Sequence, residues 1–200
     1  MEQYSIDGRG RGHVYVTLAI VSLVLAYAAH QIIDALPFRI PWWIEVPSFA
    51  VWFGVVNIVF DRWLWRMRLA GFRLSAVPDF SGTWSGTIAG MNAGGERTEL
   101  PVHIVIEQTW SSIEIRGKTS RGLTRSKLAG VRIDDEELRY EYETHPDVFD
   151  PIAKRHIGFC VLELHERDLL EGFYYTLDGT STKGTIAIER SPTSAIPDSR

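Results

Sequence analysis

Residues 14–33 read VYVTLAIVSLVLAYAAHQII and contain no charged side chain. Residues 42–60 read WWIEVPSFAVWFGVVNIVF, in which Glu45 is the single acid. An α-helix needs about 20 consecutive apolar residues to cross a bilayer, and both stretches approach that length. Together they predict a two-helix transmembrane hairpin at 13–66, preceded by a cytoplasmic N-terminal segment at 1–12.

Arginines flank both ends of the predicted hairpin. Arg9 and Arg11 precede it, and four arginines lie in 62–73, whereas the turn between the two stretches has Arg39 as its only basic residue. The positive-inside rule assigns the more basic flanks to the cytoplasm. We therefore predict a multi-pass membrane protein whose two termini are both cytoplasmic.

From residue 78 onward, strand patterns alternate with turn signals, and no helical period intervenes. The predicted strands are 82–89, 98–110, 112–119, 126–133, 137–144, 156–164, 170–177 and 182–189. Their regular spacing fits a closed meander, so the predicted fold class is membrane-anchored all-β: two N-terminal transmembrane helices followed by an eight-stranded up-and-down antiparallel β-barrel. The cytosolic, ligand-binding barrel is predicted at 78–191. Residues 67–77 are predicted as a linker and 192–200 as a disordered tail.

Composition limits the chemistry of the chain. The formal net charge of −4 disfavours a protein that binds DNA or RNA polymers. A single cysteine, Cys160, excludes an intrachain disulfide, and its apolar neighbours predict a packed thiol. The sequence contains no Gly-x-Ser-x-Gly, Walker A or His-Glu-x-x-His motif, and its six histidines are scattered. We therefore predict a protein without enzymatic activity, without a metal site and without a cofactor.

Residues 116–127, RGKTSRGLTRSK, hold five cations and no acids. Glycines allow close backbone approach, arginine matches the geometry of a phosphate, and hydroxyl groups donate hydrogen bonds. A second basic group lies at 154–156, and barrel closure would place both groups at the same end, beside tyrosines that could stack on bases. The alternative is that they are solvated hairpin tips or contacts to anionic lipid. The predicted ligand-binding residues are Lys118, Thr119, Arg121, Arg125, Tyr142, Lys154, Arg155, Tyr174, Thr176 and Thr182.

The assembled features resemble a known family. Two N-terminal apolar spans, an arginine-rich joint, PDFSGTWSGTI at 78–88 and the closing EGFYYTLDGTSTKGTIAIER at 171–190 are similar to the two-transmembrane β-barrel effectors of CBASS antiphage defence. These are the CD-NTase-associated, SMODS-associated effectors of bacteria. The resemblance implies that the barrel binds a cyclic dinucleotide made by a partner CD-NTase. It further implies self-association on activation, contact with inner-membrane lipids, disruption of the bacterial inner membrane, and abortive infection.

Two other functions fit the same pattern. The opening Gly82-x-Trp84 also resembles lipocalin-like barrels, in which a tryptophan plugs one end, and this predicts Trp84 as a buried plug. Such a membrane-tethered barrel would bind a lipid or a small apolar ligand. A structural adaptor would instead bind another protein through an exposed strand edge.

Overall fold

The computed structural model describes residues 2–7, 11–35, 48–69, 72–91, 97–120, 122–146, 155–166, 168–177 and 183–191. They form two compact units: a strand unit, which contains residues 2–7 and the chain from Val77 onward, and a helical unit between Arg9 and Ala76. In chain order the elements are β1 (Glu2–Gln3), β2 (Ser5–Asp7), α1 (Gly12–Asp34), α2 (Ser48–Arg62), a 3₁₀ turn (Leu64–Arg66), β3 (Arg68–Leu69), β4 (Phe72–Arg73), β5 (Gly82–Met91), β6 (Arg97–Gln108), β7 (Ser112–Thr119), β8 (Gly122–Arg132), β9 (Glu137–Pro146), β10 (His156–His165), β11 (Leu169–Thr176) and β12 (Lys183–Arg190).

Helix α1 corresponds to the first predicted span. Among the described residues it is the one helix that is long and apolar enough to cross a membrane. Its apolar side chains are mostly exposed, and Val16, Leu23 and Val24 each keep about 60% of their surface accessible. A helix that is apolar on all sides is typical of a membrane span rather than of a soluble surface helix. The composition of α1 therefore indicates membrane association.

The second predicted span is only partly described. Helix α2 has 15 residues, Ser48–Arg62, and packs against α1 within the helical unit. Residues 36–47, which include the start of the predicted span, lie outside the described residues. A second membrane-crossing helix is therefore not shown, and the two-span hairpin with its cytoplasmic termini stays a proposal.

The strand unit confirms the predicted eight-stranded antiparallel barrel. Each of β5 to β12 pairs with the next strand along the chain, and β12 returns to pair with β5. The predicted strand ends agree with the structure to within two residues except at β8. That strand begins at Gly122 rather than at residue 126, because Gly122 and Thr119 already pair across a tight turn.

Large side chains fill one end of the barrel. Trp84 is fully buried, and its indole Nε1 donates a 2.9 Å hydrogen bond to the Phe80 carbonyl, which confirms the predicted plug. The Arg190 guanidinium lies 4.4 Å from the centre of the Trp84 ring, within range of a cation–π interaction. Gln108 binds the backbone of the segment that precedes β5. Its Oε1 accepts a hydrogen bond from the Phe80 amide at 2.8 Å, and its Nε2 donates one to the Pro78 carbonyl at 3.0 Å.

The N-terminal residues add two strands that the sequence analysis did not predict. Strand β1 runs antiparallel to β7, with Gln3 opposite Ser112, and β2 runs parallel to β8, with Ser5 opposite Gly130. Residues 2–7, predicted as part of a separate segment at 1–12, therefore belong to the strand unit. They are too short and too polar to give a strand pattern of their own.

Candidate functional site

The interior of the barrel changes character along its length. Where β5, β7, β9 and β11 begin, the inward side chains are mainly apolar, and we call this the closed end. Its members include Trp84, Ile106, Ile113, Val131, Leu138, Leu162, Leu170 and Ile188. Where the same strands finish, the inward positions carry hydroxyls, rings and glycines, and we call this the mouth. Its members, assigned by strand register and burial, are Gly90, Thr98, Thr119, Thr124, Tyr142, Thr144, His156, Gly158, Tyr174, Thr176 and Gly184.

Tyr142 is at the centre of an aromatic and polar group in the mouth. Its ring centroid lies 6.2 Å from that of Tyr140 and 6.4 Å from that of His156, which it meets edge-on. The Nε2 atom of His156 lies 3.0 Å from Thr144 Oγ1, at hydrogen-bond distance. Rings and hydrogen-bonding groups therefore share one wall of the interior.

Glycines give the tyrosine rings their space. A Cβ atom at Gly158 would lie 2.3 Å from Cζ of Tyr142, and one at Gly90 would lie 2.4 Å from the Tyr174 hydroxyl oxygen. Both distances are far below van der Waals contact, so any larger residue would displace the ring opposite. The glycines of β5 and β10 thus allow Tyr142 and Tyr174 to lie across neighbouring strands inside the barrel.

The buried hydroxyls and the thiol keep their protons at neutral pH. Burial raises the pKa of Tyr142, with smaller contributions from Cys160 and Tyr174, and burial likewise raises the pKa of Tyr140. Burial raises the pKa of the Cys160 thiol to about 12, partly offset by a hydrogen bond with Tyr140. The prediction of a packed thiol is confirmed, since Cys160 is 2% exposed. Protonated phenols can donate hydrogen bonds to a polar ligand.

The structure divides the ten predicted ligand-binding residues into three sets. The inward set consists of Thr119, Tyr142, Tyr174 and Thr176. The outward set consists of Lys118, Arg125 and Arg155, which are exposed. Arg121, Lys154 and Thr182 lie outside the described residues. The described cations of the two basic segments therefore face outward and do not meet inside the barrel.

Carboxylates on the outer wall compensate the charge of two outward arginines. Arg125 lies 2.9 Å from a carboxylate oxygen of Glu114. Arg155 donates a hydrogen bond to Glu143, whose other oxygen lies 3.0 Å from Lys127 Nζ. Hydrogen bonds from Arg155 and then Lys127 lower the pKa of Glu143 to about 2. Lys127 lies in a β-bulge between residues 126 and 128, where the register of β8 shifts against β9.

Several residues of the mouth are not among the ten predicted ligand-binding residues. Thr124, Thr144 and His156 face inward, and Ser126 is the register partner of Tyr142. Thr124 was missed because the predicted strand began at residue 126. Since β8 begins at Gly122, period-2 alternation places Thr124 on the same face as Ser126. Thr144 could be placed from the predicted strand at 137–144 alone, because it lies two residues after Tyr142 and therefore on the same face.

The described mouth is equipped for binding rather than for metal chemistry. Among the described residues no group of three or more His, Cys, Asp or Glu side chains could hold a metal ion. The described inward groups are instead hydroxyls, phenols and one imidazole. This combination suits a ligand with both polar groups and planar rings.

Comparison with known proteins points to one family. The family model described as "Cap15, cyclic dinucleotide receptor domain" matches residues 75–190. The chain is also 30% identical over 97 residues to CD-NTase-associated protein 15 of Escherichia albertii. That match covers 46% of this chain and 49% of the relative, so the chain spans about half the length of the curated protein it matches.

Proposed function

Because this chain belongs to the family of Cap15 cyclic dinucleotide receptor domains and is a CBASS effector, we propose that its mouth binds a cyclic dinucleotide and thereby activates the membrane helices. The ligand would come from a partner CD-NTase in phage-infected cells. Activated chains would self-associate and disrupt the bacterial inner membrane, which causes abortive infection.

The observation that carries this proposal is the contrast between the mouth and the closed end. A cyclic dinucleotide presents two bases, two phosphates and ribose groups. Tyr142 and Tyr174 supply faces for stacking, and a base stacked on an aromatic ring gains about 1–3 kcal/mol. Thr144 and Thr176 follow these tyrosines by two residues on the inward faces of β9 and β11 and supply hydroxyls for phosphate or ribose oxygens. An apolar carrier would not need this density of hydrogen-bonding groups.

Cations at the rim, the outer edge of the mouth, would attract the ligand from solution. Lys118 is exposed and next to the inward Thr119 at the end of β7, and Arg121 comes two residues later in the sequence. We propose that Lys118, Arg121 and Lys154 attract the dianionic ligand, and that Thr182 completes the rim. Such steering mainly raises the association rate and weakens with added salt.

The membrane part of the proposal rests on α1 and on the apolar sequence at 42–60. Two spans with basic flanks would keep both termini, and therefore the barrel, on the cytoplasmic side. A ligand shifts an equilibrium only by its difference in affinity between the two states. The cyclic dinucleotide must therefore bind the self-associating form better than the resting form.

Calorimetry on the detergent-solubilised full chain tests the proposed ligand. Cyclic di-GMP, cyclic di-AMP and cyclic GMP–AMP are titrated into wild type, Tyr174→Ala and Tyr175→Ala. Tyr174 faces inward, whereas its neighbour Tyr175 is 39% exposed on the outer wall and provides a matched control. We expect Tyr174→Ala to weaken binding by about 5- to 150-fold, from the stacking energy of one base.

Two results would contradict the proposal. Wild-type protein that binds none of the three nucleotides, or a Tyr175→Ala loss as large as that of Tyr174→Ala, would remove the mouth as a nucleotide site. Lipid extracted from the purified protein, together with no nucleotide binding, would favour the lipid-binding barrel instead.

A further inference from the structure

The β7–β8 hairpin leaves an opening in the barrel wall. The two strands pair directly only at residues 116–119 and 122–125, next to their turn. Towards the closed end they separate, and β1 and β2 occupy the space between them. Gln3 pairs there with Ser112 of β7, and Ser5 pairs with Gly130 of β8. Residues 2–7 therefore complete the wall, and we call the place where they lie the seam.

One buried side chain anchors this segment. Tyr4 is 4% exposed, and its hydroxyl donates a 2.9 Å hydrogen bond to the carbonyl of Trp110. The remaining attachment is short, since β1 has two residues and β2 has three. Elements with few buried contacts open at lower free energy than the core of the same protein. The segment can therefore leave the seam without unfolding the other eight strands.

Ser126 connects the seam to the mouth. At the point where β7 and β8 separate, the Ile115 amide donates a 3.0 Å hydrogen bond to Ser126 Oγ, which replaces the missing ladder bond. Ser126 is also the register partner of Tyr142, immediately before the bulge in β8. A ligand that moves Tyr142 therefore acts beside the residue whose side chain joins β8 to β7.

The same segment is connected to the membrane helix. Strand β2 ends at Asp7 and α1 begins at Gly12, so only residues 8–11 intervene. We propose that residues 2–7 are a releasable latch: while docked they hold α1 in the resting state, and a ligand in the mouth favours the state in which they have left the seam. This regulation rests on the proposed function. By thermodynamic linkage, a docked latch also weakens ligand binding.

A reversible cross-link tests the latch. In the full chain, Ser5→Cys and Gly130→Cys place two thiols on paired residues, and a Cβ at Gly130 meets only the Ser5 carbonyl oxygen, at 3.8 Å. The native Cys160 is buried and does not compete. The protein is reconstituted in dye-loaded liposomes, and whichever of the three nucleotides binds is added. The oxidised double variant should release dye at least about tenfold more slowly than the same variant when reduced. Adding reductant to the oxidised protein should restore dye release. The oxidised Ser5→Cys single variant is the control.

Equal dye release from the oxidised and reduced double variants, with nucleotide bound to both, would overturn the latch. Absence of nucleotide binding in both forms would instead count against the proposed function.

A second experiment tests the latch without any ligand. Tyr4→Phe removes the hydrogen bond but keeps the ring, and should raise ligand-free self-association about fivefold in sedimentation. Tyr4→Ala, checked for folding by circular dichroism, should raise it further. Self-association equal to wild type in both variants would exclude a latch.

Discussion

Gly158→Ala should disturb the mouth through a single methyl group. The ideal Cβ at this position lies 2.3 Å from Cζ of Tyr142 and 2.4 Å from its hydroxyl oxygen, whereas ordinary contact begins near 3.4 Å. The ring must therefore move by about 1 Å, and it cannot simply turn into solvent because Tyr142 is 8% exposed. Overpacking of this kind costs about 1–3 kcal/mol of unfolding free energy.

A double-mutant cycle identifies the cause of that loss. Urea denaturation of the detergent-solubilised chain, followed by the far-ultraviolet signal of the sheet, gives the unfolding free energy of wild type, Gly158→Ala, Tyr142→Ala and the double variant. Without the Tyr142 ring the added methyl has room, so the cost of Gly158→Ala should vanish or change sign. The expected coupling energy is about 1–3 kcal/mol. Gly130→Ala is the matched control: its Cβ meets no atom closer than 3.8 Å, so its effect should be small.

The cycle also tests the proposed site. If Tyr142 stacks on the ligand, the 1 Å displacement in Gly158→Ala should weaken nucleotide binding, while Gly130→Ala should bind as wild type does. A Gly158→Ala cost that is as large in the Tyr142→Ala background as in wild type would refute the reasoning, because the methyl would then be clashing with something else.

Three further predictions follow from buried polar groups. Glu143→Gln should destabilise the protein at pH 7. Since hydrogen bonds from Arg155 and Lys127 lower the pKa of Glu143 from 4.5 to about 2, its stabilisation is present above pH 4.5 and is lost towards pH 2, so the two proteins should converge in an acid titration of thermal stability. Gln108→Leu leaves the Phe80 amide without its Gln108 acceptor and should cost about 1–3 kcal/mol in urea denaturation, against a small effect of an exposed Glu99→Leu control. Cys160 should react slowly with a maleimide in the folded chain at pH 7 and rapidly in denaturant, because burial raises the pKa of its thiol to about 12.

Local patterns were enough to predict the barrel. Period-2 alternation and turn residues located all eight strands, and strand order followed because a meander needs no long-range choice. The packed positions of Trp84 and Cys160 also followed, since each lies among apolar neighbours on its strand. The N-terminal strands could not be predicted in this way, because residues 2–7 form strands only by pairing with β7 and β8, which lie over a hundred residues away.

The candidate site was less predictable than the fold. A run of cations in the sequence indicates phosphate binding, but it does not show which cations already face a carboxylate. Arg125 and Arg155 are paired with Glu114 and Glu143 on the outer wall, and those partners lie on other strands. Thr144 has no charge that draws attention to it in the sequence, although the alternation of β9 places it on the same face as Tyr142. In a barrel, the parity of a residue within its strand therefore decides whether its side chain faces the interior, whatever its charge.

The two ends of the barrel have different physical tasks. Burying hydroxyls and phenols in the mouth costs free energy unless each is hydrogen-bonded, so the mouth contributes less to stability than an apolar core of the same size. The closed end compensates, because Trp84, Trp110 and Leu138 are all at most 2% exposed there. A stable closed end allows the mouth to change without global unfolding, which a sensor requires. Residues 2–7 cover the seam between β7 and β8, and only four residues separate them from α1, so a local change in the wall has a short path along the chain to that apolar helix.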